Sequence, residues 1–229
     1  MTEIFKKSAI LAAVSMVAIS LVSASATAAD VAASADTGFK PYVSVFAGAS
    51  FLNDVNTIYD FDSTPYTVKT NAGYLLGGAV GVKWNDLLRT EVELSHNRWN
   101  ANSFNDSGGS FAPASGPIST TYLLGNIWLD IPTQSAFTPY VGGGLGVGWA
   151  WADVSFDGNT YGYGSGGSAM AYQLGAGVKF AVNDQFDIDL GYRFKALSSV
   201  NFPDRDGSGN YNGATLNSHN IQLGLTYHF

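Results

Sequence analysis

From Ile221 to Phe229 every second residue is apolar or aromatic (Ile221, Leu223, Leu225, Tyr227, Phe229). Asn220, Gln222, Gly224, Thr226 and His228 fill the positions between. A period of two belongs to a strand whose two faces meet different surroundings. The alternation recurs in eight segments, near residues 40–52, 70–84, 87–101, 118–131, 137–152, 168–182, 185–198 and 215–229. Each is somewhat longer than the ~9–11 residues that a tilted strand needs to cross a bilayer.

The connections alternate in length. Asn85-Asp86 joins the second segment to the third, Asn183-Asp184 the sixth to the seventh, and "PTQSA" (132–136) the fourth to the fifth. The others, 53–69, 102–117, 153–167 and 199–214, are long and rich in Gly, Ser, Asn, Asp and Pro, the residues of turns and loops. An even strand count with tight turns at one end and long loops at the other is the form of an outer-membrane barrel.

Parity decides which face is wet. In the seventh segment Phe186, Ile188, Leu190, Tyr192 and Phe194 oppose Asp187, Asp189, Gly191, Arg193 and Lys195. The third sets Thr90, Val92 and Leu94 against Arg89, Glu91 and Glu93, and the sixth sets Met170, Tyr172, Leu174, Val178, Phe180 and Val182 against Gln173 and Lys179. In the second, Leu76, Val80 and Val82 oppose Lys83. A soluble barrel would bury the apolar face, but eight strands enclose an interior only just wide enough for side chains. The small residues stand opposite the bulky ones: Gly142, Gly144, Gly146, Gly148 and Ala150, then Gly77, Ala79 and Gly81, then Ala171, Gly175 and Gly177. The glycine face therefore points inward, and the bulky apolar face meets lipid.

The expected fold is all-β, a transmembrane eight-stranded antiparallel up-and-down β-barrel. Its interior is expected to hold an ion-pair network of Lys83, Arg89, Glu91, Glu93, Asp130, Lys179, Asp187, Asp189, Arg193 and Lys195, five residues of each sign. Pairing is required there because an uncompensated buried charge costs about 3–5 kcal/mol. Tyr227, Phe229, Trp84 and Phe180 near the short turns, and Trp99, Trp149 and Trp151 toward the loops, suit two interfacial girdles.

Composition agrees with a membrane-exposed wall: 13% of residues are charged and 14% aromatic, with 27 glycines. With no cysteine, disulfide frameworks and thiol nucleophiles are excluded. Lys6 and Lys7, the apolar run "SAILAAVSMVAISLV" and the small-x-small site Ala26-Thr27-Ala28 read as a signal peptide over 1–29. A periplasmic leader (30–38) and the barrel domain (39–229) follow. Of 11 basic and 18 acidic side chains the signal carries Lys6, Lys7 and Glu3, so the mature chain keeps 9 and 17, a net of −8. That balance is wrong for nucleic acid, which needs basic stripes.

"TPYVGGGLGVGWA" (138–150), "DLGYRF" (189–194) and the terminal "HNIQLGLTYHF" resemble the strands of the small outer-membrane β-barrel superfamily. Its members include the opacity-type surface antigens, the Omp25/31-like proteins and the OmpA-like transmembrane barrels. The resemblance spans the mature chain and implies residence in the bacterial outer membrane, with both termini on the periplasmic side. It implies that Tyr227 and Phe229 form the signal read by the outer-membrane assembly machinery. Outer-membrane lipid and lipopolysaccharide are the implied surroundings of a monomer without cofactors.

Two local patterns compete with a purely structural reading. In "DRDGSGNYNGAT", Asp204, Asp206, Ser208 and Asn210 approach the alternating oxygens of a calcium loop, but Thr215 replaces the bidentate Glu and no helices flank it. His96 and His219 follow Ser95 and Ser218, as a lipid-facing hydrolase would need, yet adjacent strand residues point to opposite faces. No catalytic residue or metal ligand is therefore assigned. The expected function is that of an envelope structural protein and scaffold for surface loops, in adhesion or as antigen. Those loops carry acids (Asp54, Asp60, Asp62, Asp106, Asp153, Asp157, Asp204, Asp206) and aromatics expected to be exposed (Tyr59, Phe61, Phe104, Tyr161, Tyr163, Tyr211). The alternative is a narrow pore for small solutes or small hydrophobic compounds.

Overall fold

A computed structural model describes residues 40–60, 63–106, 111–156, 166–204, 207 and 209–229. The expected signal peptide and leader lie outside the described residues. The described residues form twelve strands: β1 (Lys40–Leu52), β2 (Val55–Tyr59), β3 (Pro65–Thr70), β4 (Gly73–Lys83), β5 (Leu88–Asp106), β6 (Phe111–Ser115), β7 (Pro117–Asp130), β8 (Phe137–Ala152), β9 (Ser155–Phe156), β10 (Ser168–Ala181), β11 (Phe186–Pro203) and β12 (Asn210–His228). Eight of them form the wall in the order β1, β4, β5, β7, β8, β10, β11, β12, every neighbouring pair antiparallel. The ring closes where β12 returns to β1, from Tyr42 opposite His228 to Leu52 opposite Ser218. Closure satisfies both edges of every wall strand, as a sheet in hydrocarbon requires.

The two Asn-Asp turns share one construction. The Asn85 side-chain oxygen accepts the backbone N–H groups of Leu87 and Leu88 at 2.8 and 2.9 Å, and that of Asn183 accepts those of Gln185 and Phe186 at 2.9 Å. The asparagine side chain thus replaces backbone partners and allows a tight reversal. Both chain ends of the barrel lie at this short-turn end, where the Phe229 N–H donates to the Pro41 carbonyl.

The outward stripes form an apolar belt. Leu145, Met170, Leu174, Leu190 and Leu223 are 59–68% exposed, with Val45, Val92, Ile127, Ile188 and Ile221 beside them. A continuous band of this kind has no place in water. Inward, the glycines receive rings and long chains from neighbouring strands. A Cβ on Gly177 would stand 2.4 Å from the Tyr140 hydroxyl, on Gly81 2.4 Å from the Tyr42 ring, and on Gly175 2.6 Å from Arg193 Cδ. The small residues thus make room mainly for the strand beside them.

Above the belt the structure departs from the expected loops. Much of 53–69, 102–117 and 199–214 is strand, because the wall continues upward, and 153–167 contributes the two-residue β9. The β2–β3 hairpin carries on from β1 and β4 and fills the space between β12 and β5. β6 pairs with the upper part of β5, and β9 pairs with β6. Register shifts between β3 and β5 and between β11 and β12 alter the alternation at this level. Gly213 (φ 78°) lies beside the second shift, and Gly116 (φ 123°) lets the chain break between β6 and β7.

Replacing Gly177 by Val should overpack the interior and lower the unfolding free energy by about 1–3 kcal/mol. The same change at Gly125, whose Cβ would meet nothing closer than 3.9 Å, should stay within about 0.5 kcal/mol. Urea titration of the reconstituted barrel, followed by tryptophan fluorescence, compares the two.

Candidate functional site

The interior is built in two layers. In the lower one, toward the short turns, inward positions of β5, β7, β10 and β11 bring acids and bases together. Arg89 Nε donates to both Asp130 oxygens at 2.9 and 3.0 Å, and Lys179 Nζ donates to the same carboxylate at 2.6 Å. Glu91 accepts from the Tyr42 hydroxyl and the Trp128 indole, each at 2.8 Å, with Arg89 Nη1 4.0 Å away. Glu93 is paired with Lys195, which is 0% exposed, and also accepts from Gln173 (2.7 Å) and Ser95 (2.8 Å). A buried carboxylate needs this number of donors to offset its lost hydration.

Four members of the sequence-based network are held differently. Lys83 turns to the exposed Asp86 at 3.2 Å, because its strand ends at the rim. Asp187 pairs with His228 Nε2 at 2.8 Å at the same level. Arg193 lies 4.1 Å over the Trp128 ring and donates to the Tyr140 hydroxyl at 2.9 Å, and Tyr140 also bonds Asp189. Phenol and indole groups therefore mediate between Arg193 and Asp189, where ion-to-ion contact was expected. Tyr42, Trp128, Tyr140 and His228 were missed as partners, although their inward parity was readable beside the glycines. The space left among Arg89, Glu91, Glu93, Tyr140, Asp189 and Arg193 is about 30 Å³, room for ~1–2 waters.

The upper layer is apolar. Val55, Val68, Ile118, Tyr122, Leu197, Val200, Phe202, Tyr211 and Leu216 are each 5% exposed or less and form one cluster. A polar seam of Ser50, Asn97 and Asn220 divides it from the charges below, with Asn97 Nδ2 donating at 2.8 and 2.7 Å. Trp99, expected in the outer girdle, faces this seam at 1% exposure and donates to Ser50 at 3.0 Å. Its odd parity matches Glu93 and Asn97, which is the reason. Tyr211, Phe104 and Tyr59, expected as exposed loop aromatics, pack inside the extension instead: Phe104 stacks on Phe156 at 3.8 Å and Tyr59 lies tilted against Tyr211 at 4.8 Å. Asp204 is likewise buried. Phe61, Asp62, Asp157, Tyr161 and Tyr163 lie outside the described residues.

The remaining candidates can be placed briefly. Asp206 and Ser208 of the calcium-like loop lie outside the described residues, and Asn210 is engaged by Asp60. Its N–H and Nδ2 donate to the Asp60 carboxylate at 2.8 and 3.0 Å, tying the β2–β3 hairpin to β12. Among the described residues no cluster of three metal-binding side chains occurs. Ser95 and Ser218 are buried inside, whereas His96 and His219 sit on the outer face, bonded to Thr121 (2.9 Å) and Tyr192 (2.7 Å). At the turn end the Tyr227 and Phe229 rings meet edge-on at 5.1 Å, with Phe229 40% exposed.

A closed eight-stranded ring with a lipid-facing belt and a charged interior defines a small integral outer-membrane barrel. The family model described as "Outer membrane protein beta-barrel domain" matches residues 14–229, and the chain belongs to that family, resident in the bacterial outer membrane. An uncharacterized protein of Brucella abortus is 27% identical over 215 residues, covering 76% of this chain and 74% of its own. Outer membrane protein PagN of Salmonella typhimurium is 27% identical over 218 residues, covering 82% and 89%. The crystal structure of OprG from Pseudomonas aeruginosa has the same fold, with a TM-score of 0.59, 14% identity, and coverage of 84% of this chain and 96% of its own.

Lys195→Met leaves Glu93 buried without its cation and should cost about 3–5 kcal/mol in urea unfolding; adding Glu93→Gln should recover most of the loss. The Asn210 backbone and side-chain N–H groups hold the Asp60 carboxyl below the usual carboxylate range. The tie is therefore fully present above the unfolded Asp value of about 3.9 and is lost as pH falls through the lower folded value. Carboxyl carbon NMR should show Asp60 titrating below the usual carboxylate range, and Asn210→Ala, which keeps the backbone donor and removes the side-chain one, should return it part of the way.

Proposed function

We propose that the protein is a sealed structural barrel of the envelope that presents a rigid β-extension for surface contact, as an adhesin or surface antigen. The observation that carries this reading is the filling of the interior at both levels. Ion pairs and hydrogen bonds occupy the lower half, and a buried apolar cluster occupies the upper half. Among the described residues the lower interior leaves a cavity of about 30 Å³, which favours a scaffold over a conducting path. In this reading the tight turns and both chain ends are periplasmic, and the hairpin and extension face outward. The interior charges then act as a plug that holds the wall strands in register. Tyr227 and Phe229 serve as the end read by the assembly machinery.

The purified protein in planar bilayers should give no step-like openings, and it should migrate differently on SDS gels before and after boiling. Discrete channel events would favour the narrow-pore reading instead. Replacing the hairpin tip, residues 59–64, with a short Gly-Ser turn should abolish binding to host-cell surfaces and leave the gel shift intact.

A further inference from the structure

The upper edge of the apolar belt carries one outward-facing cation among the described residues. On β5 the lipid-facing run Thr90, Val92, Leu94 gives way to His96 and then Arg98, both part-exposed. Ser95, Asn97 and Trp99 between and beyond them are buried inside. Cross-strand register sets Arg98 between Tyr74 of β4 and Ser119 of β7, and Ser119 faces Trp151 of β8. One step below, His96 lies beside Thr121, which is paired with Trp149. Tyr74 and Trp151 are 45% and 44% exposed. A guanidinium framed by amphipathic rings thus stands at the level where the outer face changes from apolar to polar, which is where headgroups lie.

The charge around it is equally specific. Arg89, Lys179 and Lys195 point inward to acids, Arg193 points inward to rings, and Lys83 and Lys69 are paired with Asp86 and Asp54. The Arg98 side chain has no hydrogen bond or ion pair with any described residue. On the opposite flank the same level is formed by Phe51, His219 and Phe194, with no lysine or arginine among them. A guanidinium at a membrane surface that finds no partner among the described residues calls for an anion from the lipid, and its planar fork matches a phosphate bidentately.

We propose that Tyr74, Arg98, Ser119 and Trp151 form a binding site for a phosphate group of an outer-leaflet glycolipid. The guanidinium grips the phosphate, the Ser119 hydroxyl supplies a further donor, and the two rings lie against the sugar. The proposal rests on the outward orientation of the extension given above. It fixes one lipid to the β4–β8 flank of an otherwise acidic protein.

The test is native mass spectrometry of the detergent-purified barrel with bisphosphorylated lipid A as probe. The wild type should retain the lipid, and Arg98→Ala should lower occupancy about tenfold, the scale of one charge-assisted contact. Arg98→Lys should fall between them, and fully dephosphorylated lipid A should bind the wild type no better than Arg98→Ala binds the probe. Equal retention by wild type and Arg98→Ala, or indifference to the phosphates, overturns the proposal. The heat-dependent gel shift checks that each variant is folded. Protease shaving of intact cells reports orientation separately: an inaccessible extension would overturn the outward orientation while the detergent result stood alone.

Discussion

The ladder between β12 and β1 joins the last strand to the first, and through it every wall strand is paired on both sides at bilayer depth. In hydrocarbon an unmet N–H or C=O finds no water, so an open edge would cost several kcal/mol for each group. Closure at eight strands also fixes the interior as narrow. The glycine stripes follow from that narrowness, because Tyr42, Tyr140 and Arg193 occupy the volume that a Cβ at Gly81, Gly177 or Gly175 would need. The belt, the plug and the position of Arg98 are consequences of one closed ring placed in one solvent.

That solvent changes along the barrel axis, and the interior changes with it. At belt height the outside is lipid, so Leu190 and Leu223 face out while Asp189, Arg193 and Gln222 face in. Above the belt the outside is polar, with Ser198, Ser199 and Asn201 exposed on β11, and Val200 and Phe202 turn inward. The register shifts after Leu197 achieve the exchange by resetting which residues look inward. The upper barrel is therefore built like a soluble β protein, continuous with a lower barrel of opposite polarity.

The lower interior spreads its charges among neutral groups. Asp130 receives two cations, whereas Glu91 is held chiefly by a tyrosine and an indole, and Arg193 rests on Trp128. Such sharing satisfies each charge without one-to-one pairing, since a carboxylate has four lone-pair sites and a guanidinium five donors. It also leaves almost no space, which separates this interior from that of a wide water-filled barrel.

The sequence by itself determined the eight strands, the inverted polarity of their faces, the short-turn and long-loop ends, and the inward direction of Arg89, Glu93, Asp130, Lys179 and Lys195. A period of two, set by backbone geometry, carries that information along each strand independently of its neighbours. It could not decide which inward residues meet, because contact across a barrel depends on tilt and stagger between strands. Thus Asp187 went to His228 and Lys83 to Asp86. Nor could it see that 53–69 and 199–214 continue the wall: Gly, Asn and Pro there resemble loop punctuation until bulges and the closed ring give them partners. Tyr211 lies inside for the same reason, since only the assembled register says where the alternation breaks, whereas Trp99 lies inside because it keeps the parity of Glu93 and Asn97.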